Sequence, residues 1–366
     1  MKSRTLLAAA LALALLAAAT VGASASRQAA GTVTVVAKNL NNPRQVTAVP
    51  SGAVYVAEAG KAGPTCPTKD LCLGFSGSIT RVKDGKSTRV VSGLASIGGH
   101  DGSFTVGADG VAVAGDGTLF VVMTSVPECG PTKVLSPAGK FQVGYLLRKA
   151  RGKAQQYGNL NAAECTHNYD HADRNSDPYA AIALSPTHAV VVDAGANTLF
   201  DVNGGKVKLL TLFPKAPTGG QSVPTSITVG PDGAYYVGEF VGEAKKHAKN
   251  IARVFRVDPD TGKATVYAKG FNAITGVAFD ADGNLYVTEA SLNPLSRSEL
   301  RGDVVKVTSD GESRSRLGLG KLFFPSGAAV GADGFLYVSN YSVLPGSTPK
   351  KSPFGGAGGQ LVRIAL

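Results

Sequence analysis

The chain has 366 residues and a formal net charge of +11, and 43% of its residues are hydrophobic. This much apolar sequence can form a sizeable buried core without help from disulfides. The basic residues are scattered rather than grouped with aromatic residues, so we expect no nucleic-acid partner. The positive charge favours contact with acidic envelope polymers, although solubility alone would account for it.

The first 25 residues have the pattern of a secretory signal peptide. Lys2 and Arg4 precede an apolar run from Leu6 to Ala19, and the sequence Ala-Ser-Ala at 23–25 fits a cleavage site. The apolar run is too short, and too close to that site, for a stable membrane span. We therefore predict a secreted protein without a transmembrane anchor, in which residues 26–31 form a short N-terminal segment and residues 32–366 form one domain.

A unit of two short strands joined by a tight turn recurs six times along the chain. Most of the turns contain Asp-Gly, whose glycine supplies the positive φ that the reversal needs. A blade of four strands takes about 40–50 residues, which matches the later repeats and leaves room for insertions in the first two. We predict an all-β fold, a six-bladed β-propeller with four-stranded blades. The second strands of the six units carry Val56, Val121, Val191, Val237, Val287 and Val338.

The two ends of the domain complement each other. The last repeat ends with QLVRIAL (360–366), which fits a third strand with no fourth strand after it. The segment TVTVVAKNL (32–40) has the fourth-strand pattern and leads straight into the first repeat. We predict that the N-terminal strand completes the last blade and closes the ring, which removes the free sheet edges. An open β-sandwich would not require this match.

The connections divide into two faces because the four strands of a blade alternate in direction. The short Asp-Gly turns lie on one face, which we call the short-turn face. The long connections lie on the other, the long-loop face, around one mouth of the central channel. Function is expected on such loops. The predicted long connections are 59–76, 123–132, 151–178, 240–250, 290–301 and 340–358.

The four cysteines outside the signal peptide all fall in these long connections. An even number of cysteines in an exported protein indicates two disulfides. Three pairings are formally open. We favour a local clip between Cys66 and Cys72 and a longer tie between Cys129 and Cys165.

Two sets of equivalent positions are expected near the channel mouth. One set follows the second strands and is mostly acidic, so it either accepts backbone hydrogen bonds within each blade or forms a cation-binding ring. The other set begins the innermost strands and should line the channel entrance. The first set is Glu58, Met123, Asp193, Glu239, Glu289 and Asn340, and the second is Arg44, Asp109, Tyr179, Thr225, Thr275 and Ser326.

The link HNYDHADRNSDP (167–178) has oxygen-bearing side chains at alternate positions, Asp173, Asn175 and Asp177. This alternation is typical of calcium-binding loops. The turn glycine and the bidentate glutamate of an EF-hand are absent, so a solvated polar loop is the alternative. Calcium is the one cofactor that the sequence brings into consideration.

Several stretches resemble the ScyD/ScyE family of secreted propellers, over about residue 32 to the end. The resemblance implies a secreted propeller and assigns no catalytic residue. The stretches are NLNNPRQV (39–46), VYVAEAG (54–60), NSDPYA (175–180), VVDAGANTL (191–199), QSVPTSITVGPDGAYYVGEF (221–240) and LYVTEA (285–290).

The repeat is more broadly similar to six-bladed lactonases and gluconolactonase-like hydrolases. That resemblance implies a calcium ion in the channel, held by Glu, Asn and Asp at the starts of the innermost strands. At the equivalent positions of this chain, only Asp109 could serve as an anionic ligand, and Arg44 would repel the metal.

These observations favour a monomeric binding or scaffold propeller that uses the long-loop face, with a small molecule, a protein or an acidic envelope polymer as its partner. One alternative is a hydrolase or lyase that acts on a small metabolite at the channel mouth, with a divalent cation held by the acidic ring. Another is a structural envelope protein held by positive charge. No residue is assigned as catalytic.

Overall fold

The computed structural model describes residues 28–124, 129, 137–242, 248–293, 300–352 and 354–366. Over these ranges the chain forms six antiparallel sheets arranged around a ring, which confirms the predicted six-bladed β-propeller. The predicted signal peptide lies outside the described residues. No helix within the described ranges is long and apolar enough to cross a membrane.

The strands follow the ring in chain order. The N-terminal strand is β1 (Val33–Leu40). Blade 1 contains β2 (Pro43–Ala48), β3 (Val54–Glu58), β4 (Thr65–Thr68), β5 (Leu71–Lys83) and β6 (Lys86–Gly98). Blade 2 contains β7 (Ala108–Val113), β8 (Leu119–Met123), the short helix α1 (Pro137–Lys140), β9 (Tyr145–Lys149) and β10 (Gln155–Asn159), and it is followed by helix α2 (Leu160–His167).

The remaining blades are more regular. Blade 3 contains β11 (Pro178–Ser185), β12 (His188–Asp193), β13 (Thr198–Asn203) and β14 (Lys206–Leu212). Blade 4 contains β15 (Pro224–Val229), β16 (Tyr235–Glu239), β17 (Ala252–Val257) and β18 (Ala264–Phe271). Blade 5 contains β19 (Ile274–Phe279), β20 (Leu285–Glu289), β21 (Arg301–Val307) and β22 (Arg314–Phe323), and blade 6 contains β23 (Ser326–Val330), β24 (Leu336–Asn340) and β25 (Gly359–Ile364).

The ring closes as the termini predict. Strand β1 pairs antiparallel with β25, from Val33 opposite Ile364 to Leu40 opposite Gly359. The last sheet therefore has the order β1-β25-β24-β23 and joins the two ends of the domain. Beyond the strand, the Gly31 amide donates to the Ala365 carbonyl at 2.8 Å. Blade 6 is completed by chain from both termini.

The core lies between neighbouring blades, where both faces of each second strand are covered. This explains why the second strands are nearly continuous apolar runs rather than alternating ones. Between blades 3 and 4, for example, Val190 of β12 packs in one cluster with Val237 of β16 and Phe255 of β17, all buried. The predicted turns also form, with Gly117 and Gly233 at φ of 87° and 78°.

Two connections contain more regular structure than the sequence indicates. Residues 59–76 were predicted as a loop, but β4 pairs with the first part of β5 and extends blade 1 on the long-loop face. Residues 151–178 likewise contain β10, which is the outer strand of blade 2, and helix α2. Asn159 caps this helix by accepting a hydrogen bond from the Ala162 amide at 2.9 Å. Neither segment shows strong hydrophobic alternation, so periodicity alone misses both.

The cysteines pair as favoured from the sequence. Cys66 is bonded to Cys72, and Cys129 is bonded to Cys165 of α2. Each bond ties down a connection on the long-loop face. The second bond spans 36 residues against 6 for the first.

The longer disulfide should contribute more to stability because it restricts the unfolded chain more. Replacing Cys129 and Cys165 together by serine should lower the free energy of unfolding by about 3 kcal/mol, against about 2 kcal/mol for Cys66 and Cys72. Thermal unfolding of both double variants, without reductant, measures the difference. A larger loss for the Cys66–Cys72 pair would contradict this expectation.

Candidate functional site

The acidic residues that end the second strands lie inside the blade walls. Glu58, Asp193 and Glu289 are fully buried. Each carboxylate accepts a hydrogen bond from a backbone amide of the link that enters its own blade. The donors are Asn41 to Glu58 at 2.7 Å, Asp177 to Asp193 at 2.7 Å and Asn272 to Glu289 at 2.6 Å.

The equivalent residues of blades 4 and 6 also accept hydrogen bonds, but the donors differ in blade 4 and the acceptor differs in blade 6. Glu239 accepts two hydrogen bonds from the Arg253 guanidinium, at 2.6 and 2.9 Å, and one from the Ser222 hydroxyl at 2.8 Å. In blade 6 the neutral Asn340 accepts from the Phe323 amide at 2.7 Å. An amide serves as well as a carboxylate, so this position needs a hydrogen-bond acceptor rather than a charge. These contacts are those expected if the residues accept hydrogen bonds within each blade rather than form a cation-binding ring.

The starts of the innermost strands, in contrast, do meet at the channel mouth. Arg44 of blade 1 faces Asp109 of blade 2, with 3.4 Å between Nε and Oδ1, and both side chains are buried. The Arg44 guanidinium also donates to the Thr105 carbonyl at 2.6 Å. Among the described residues, neither Arg44 Nε nor Asp109 Oδ1 has a hydrogen-bond partner of good geometry. The structure thus brings two of the predicted site residues together in a pair that is not fully satisfied.

A second carboxylate, that of Asp177, stands close to this pair. Burial, together with repulsion from Asp177, raises the pKa of Asp109 to about 7, although the Arg44 charge opposes the shift. Burial also raises the pKa of Asp177, which accepts a hydrogen bond from the Thr124 hydroxyl at 2.8 Å. Burial thus shifts both acids toward their protonated forms, and Asp109 exchanges its proton near neutral pH.

Tyr179 of blade 3 covers this cluster. Burial raises its pKa, the Arg44 charge lowers it, and Asp109 raises it further. The Ser326 hydroxyl of blade 6 is also close enough to lower that pKa. Blades 3 and 6 lie on opposite sides of the ring of six blades. Tyr179 therefore extends toward the channel axis. We define Arg44, Asp109, Asp177 and Tyr179 as the mouth cluster, of which Asp177 and Tyr179 are half-buried.

One functional residue missed by the sequence analysis is Gln45. Its side-chain amide donates to the carbonyls of Thr225 and Thr275 at 2.9 and 2.8 Å, so it crosses the channel from blade 1 to blades 4 and 5. The repeat contains a signal for it, because the other blades have only small residues at this position. These are Gly110, Ala180, Ser226, Gly276 and Gly327.

Beyond Gln45 the channel opens into a cavity of about 320 Å³ toward the short-turn face. All six blades line it with the later halves of their innermost strands, mainly through small and β-branched residues such as Val111, Ala181 and Ile227. Gln45 separates this chamber from the mouth cluster. The channel is thus divided into a mouth with charged side chains and a chamber lined by uncharged ones.

The three residues of the predicted calcium loop differ in their burial and surroundings. Asp177 belongs to the mouth cluster, whereas Asp173 is exposed and Asn175 is half-buried in the link before blade 3. Over the described ranges, the one close group of three side chains drawn from His, Cys, Asp and Glu is Cys66, Cys72 and His100. Its two cysteines form a disulfide and cannot ligate a metal in that state.

A calcium ion at the channel mouth does not fit the residues present. The position next to Asp109 already holds the Arg44 guanidinium, a fixed positive charge. The other strand starts have hydroxyl side chains, and Thr225 and Thr275 donate theirs to Ile274 and Pro325 of the neighbouring blades. Positive charge and hydroxyls engaged as donors disfavour a divalent cation at this position.

The fold and the mouth cluster define a six-bladed propeller with a polar site at the long-loop end of its channel. The chain belongs to the SMP-30/gluconolactonase/LRE-like family, whose model matches residues 148–344, more than half of the chain. No curated protein matches it significantly in sequence.

Solved structures show the same fold at low sequence identity. A streptogramin B lyase is 13% identical with a TM-score of 0.50, covering 91% of this chain and 97% of its own. Regucalcin from Agrobacterium tumefaciens, described as a calcium-binding protein, is 15% identical with a TM-score of 0.51, covering 90% and 94%. A protein of unknown function from Bacteroides thetaiotaomicron is 12% identical with a TM-score of 0.53, covering 91% and 75%. At these identities the likeness concerns the fold alone.

Proposed function

We propose that the protein is a secreted propeller that binds a small polar metabolite at the mouth cluster. The observation that carries this proposal is the buried Arg44–Asp109 pair, whose facing Nε and Oδ1 atoms lack hydrogen-bond partners within the described structure. Unsatisfied buried polar atoms beneath a partly open entrance favour a ligand or ordered water that completes them.

The residue types indicate the ligand class. A guanidinium pairs well with a carboxylate, a carboxylate accepts from hydroxyls, and a tyrosine ring packs on the flat face of a sugar or lactone. A polyhydroxylated acid or its lactone offers all of these groups. The name of the family, which includes gluconolactonase, points to the same class of compound.

The proposal is tested by titrating sugar acids and sugar lactones into the purified chain in a calorimeter. Tyr179→Phe removes one hydroxyl at the mouth and should weaken binding about fivefold, since a hydrogen bond contributes about 1 kcal/mol. The matched control is Tyr337→Phe, whose hydroxyl bonds Asp333 at 2.8 Å on the short-turn face. Equal affinity in wild type and Tyr179→Phe, with a loss in the control, would place the ligand elsewhere.

A second candidate function, that of a hydrolase or lyase, is favoured by the pKa of about 7 at Asp109. A carboxyl with this pKa, beside a second acid, suits general acid–base chemistry near neutral pH. The same titration samples should then yield product, and Asp109→Asn should abolish its formation. Arg44 would contribute the fixed positive charge, so this candidate does not require a metal at the mouth.

We also propose that the protein is secreted and that it belongs to the ScyD/ScyE family. The predicted signal peptide and the motif QSVPTSITVGPDGAYYVGEF (221–240) support these two proposals. The two disulfides are compatible with an oxidising compartment outside the cytoplasm. A monomeric state and contact with an acidic envelope polymer remain predictions from the sequence.

A further inference from the structure

A buried carboxylate without a partner lies in α2, separate from the mouth cluster. Glu164 is fully buried, and among the described residues neither of its carboxylate oxygens has a hydrogen-bond partner of good geometry. Asn168, which caps the C-terminus of the helix, donates its amide to the Glu164 carbonyl at 2.8 Å. The side-chain oxygen of Asn168 is likewise buried and unpaired in this part of the structure. Three oxygen atoms at one helix end thus lack donors.

The charges around Glu164 make this arrangement costly. Burial, followed by repulsion from Asp170 and Asp193, raises the pKa of Glu164 to about 7. The Tyr169 amide and the exposed Arg174 oppose the shift only in part. A buried charge normally has a paired group or a metal ion beside it. The site therefore contains more buried acceptor atoms than its described protein neighbours satisfy.

The second carboxylate, Asp170, is held rigidly beside this helix end. Its Oδ1 accepts from the Ala172 amide at 2.9 Å, and its Oδ2 accepts from the Asn197 side chain at 2.7 Å. Each carboxylate oxygen has a further lone pair that could coordinate an ion. Asn168 donates its side-chain NH₂ to the Ala172 carbonyl at 2.9 Å. Its side-chain oxygen is therefore available to coordinate an ion.

Oxygen ligands of this kind select among cations. Calcium takes six to eight oxygen ligands from carboxylates, amide oxygens, backbone carbonyls and water in irregular geometry. Zinc prefers nitrogen and sulfur ligands, and magnesium demands a regular octahedron and retains most of its water. The two acids and one amide favour calcium, with backbone carbonyls and water completing its shell.

We propose that Glu164, Asn168 and Asp170 bind a calcium ion at the C-terminal end of α2. The site lies in and beside the link 167–178, for which the sequence predicted calcium, but it uses different residues from Asp173, Asn175 and Asp177. It is also separate from the channel mouth, where Arg44 excludes a metal. The proposal does not depend on the ligand proposed for the mouth cluster.

Such an ion would hold together three parts of the long-loop face. Glu164 belongs to α2, which Cys165 ties to Cys129. Asn197, which donates to Asp170, also accepts from the Val223 amide at 2.8 Å in the link before blade 4. The bound ion would therefore connect helix α2 to the entries of blades 3 and 4.

The test is calorimetric titration of calcium chloride into the full chain after removal of bound metal with a chelator. Wild type should bind one equivalent with a Kd between about 0.1 mM and 1 mM, the range of extracellular calcium modules. Glu164→Gln keeps the size of the side chain and removes its charge, so affinity should fall at least about tenfold. Glu312→Gln, at an exposed turn position, is the matched control and should bind as wild type does.

Two results would overturn the proposal. One is the absence of both binding heat and a calcium-dependent rise in melting temperature in wild type at about 5 mM calcium. The other is binding that survives Glu164→Gln but is lost in Asp109→Asn, which would place the ion at the channel mouth. Circular dichroism of the metal-free variants shows whether each is folded. If Glu164→Gln does not fold, Asn168→Ala provides the same test through the second ligand.

Discussion

Replacing Glu239 by alanine should lower the free energy of unfolding by about 4 kcal/mol, because it breaks a buried ion pair and leaves its partner charge unpaired. Glu239 is fully buried, and its carboxylate accepts two hydrogen bonds from Arg253. Without it, Arg253 keeps the carbonyls of Pro214 and Lys215 as its hydrogen-bond acceptors among the described residues, at 3.2 and 3.0 Å. The link entering blade 4 would also lose the bond between Ser222 and Glu239.

The same chemistry at the surface provides a matched control. Arg256 pairs with Asp232 at 2.6 Å, the distance found between Arg253 and Glu239, but both groups are more than one-third exposed. Exposed pairs contribute about 1 kcal/mol or less, so Asp232→Ala should change stability little. Urea unfolding of both variants measures the contrast. Equal, small losses would show that Glu239 is not a structural acceptor and would reopen the hypothesis of a cation-binding ring.

The stability of the fold should be highest near pH 4–5 and should fall by on the order of 5 kcal/mol between pH 5 and pH 8. Several buried carboxyls with raised pKa values, Glu164 among them, determine this direction. Burial raises the pKa of Asp109 to about 7, that of Glu289 to about 7 and that of Asp193 to about 6. Repulsion from Asp303 adds to the shift at Glu289.

The sign follows from proton linkage. In the unfolded chain these acids lose their protons near pH 4, whereas in the folded protein they keep them to pH 6 or 7. Over that interval the unfolded state binds fewer protons, so stability decreases as the pH rises. Below pH 4 the trend reverses, because backbone hydrogen bonds to Asp116 and a side-chain hydrogen bond to Asp310 lower their pKa values in the fold.

Melting temperatures measured from pH 3 to pH 9 test this expectation, with a fall of roughly 10 °C between pH 5 and pH 8. Glu289→Gln should flatten the profile, because it removes one shifted group and relieves the repulsion on Asp303. A stability that rises steadily from pH 5 to pH 8 would show that these carboxyls are charged in the fold at no cost.

The architecture was predictable because it depends on repetition. The Asp-Gly turns and alternating strands occur often enough to fix six blades, and the unmatched segments at 32–40 and 360–366 require each other. Strand β10 and helix α2 were not predicted because each occurs once, in an insertion without clear periodicity. A pattern that is not repeated gives little signal in a single sequence.

The site was predictable only in part. The positions of Arg44, Asp109 and Tyr179 follow from the repeat, since equivalent residues of each blade meet at one mouth. The partners of the buried acids depend on side-chain directions in three dimensions, so the sequence left the choice between a structural and a cation-binding role open. The role of Glu164 could not be predicted from the sequence, because its unpaired carboxylate oxygens become visible only when the packing around α2 is known.

The hydrogen bonds from Gln45 to the opposite wall of the channel affect how a ligand can enter and leave. Within the described residues, that side chain bridges the channel between the mouth cluster and the chamber on the short-turn face. A compound bound at the mouth cluster must leave by the route through which it entered. The long loops around the mouth, three of which carry the disulfide-bonded cysteines, therefore control both entry and release.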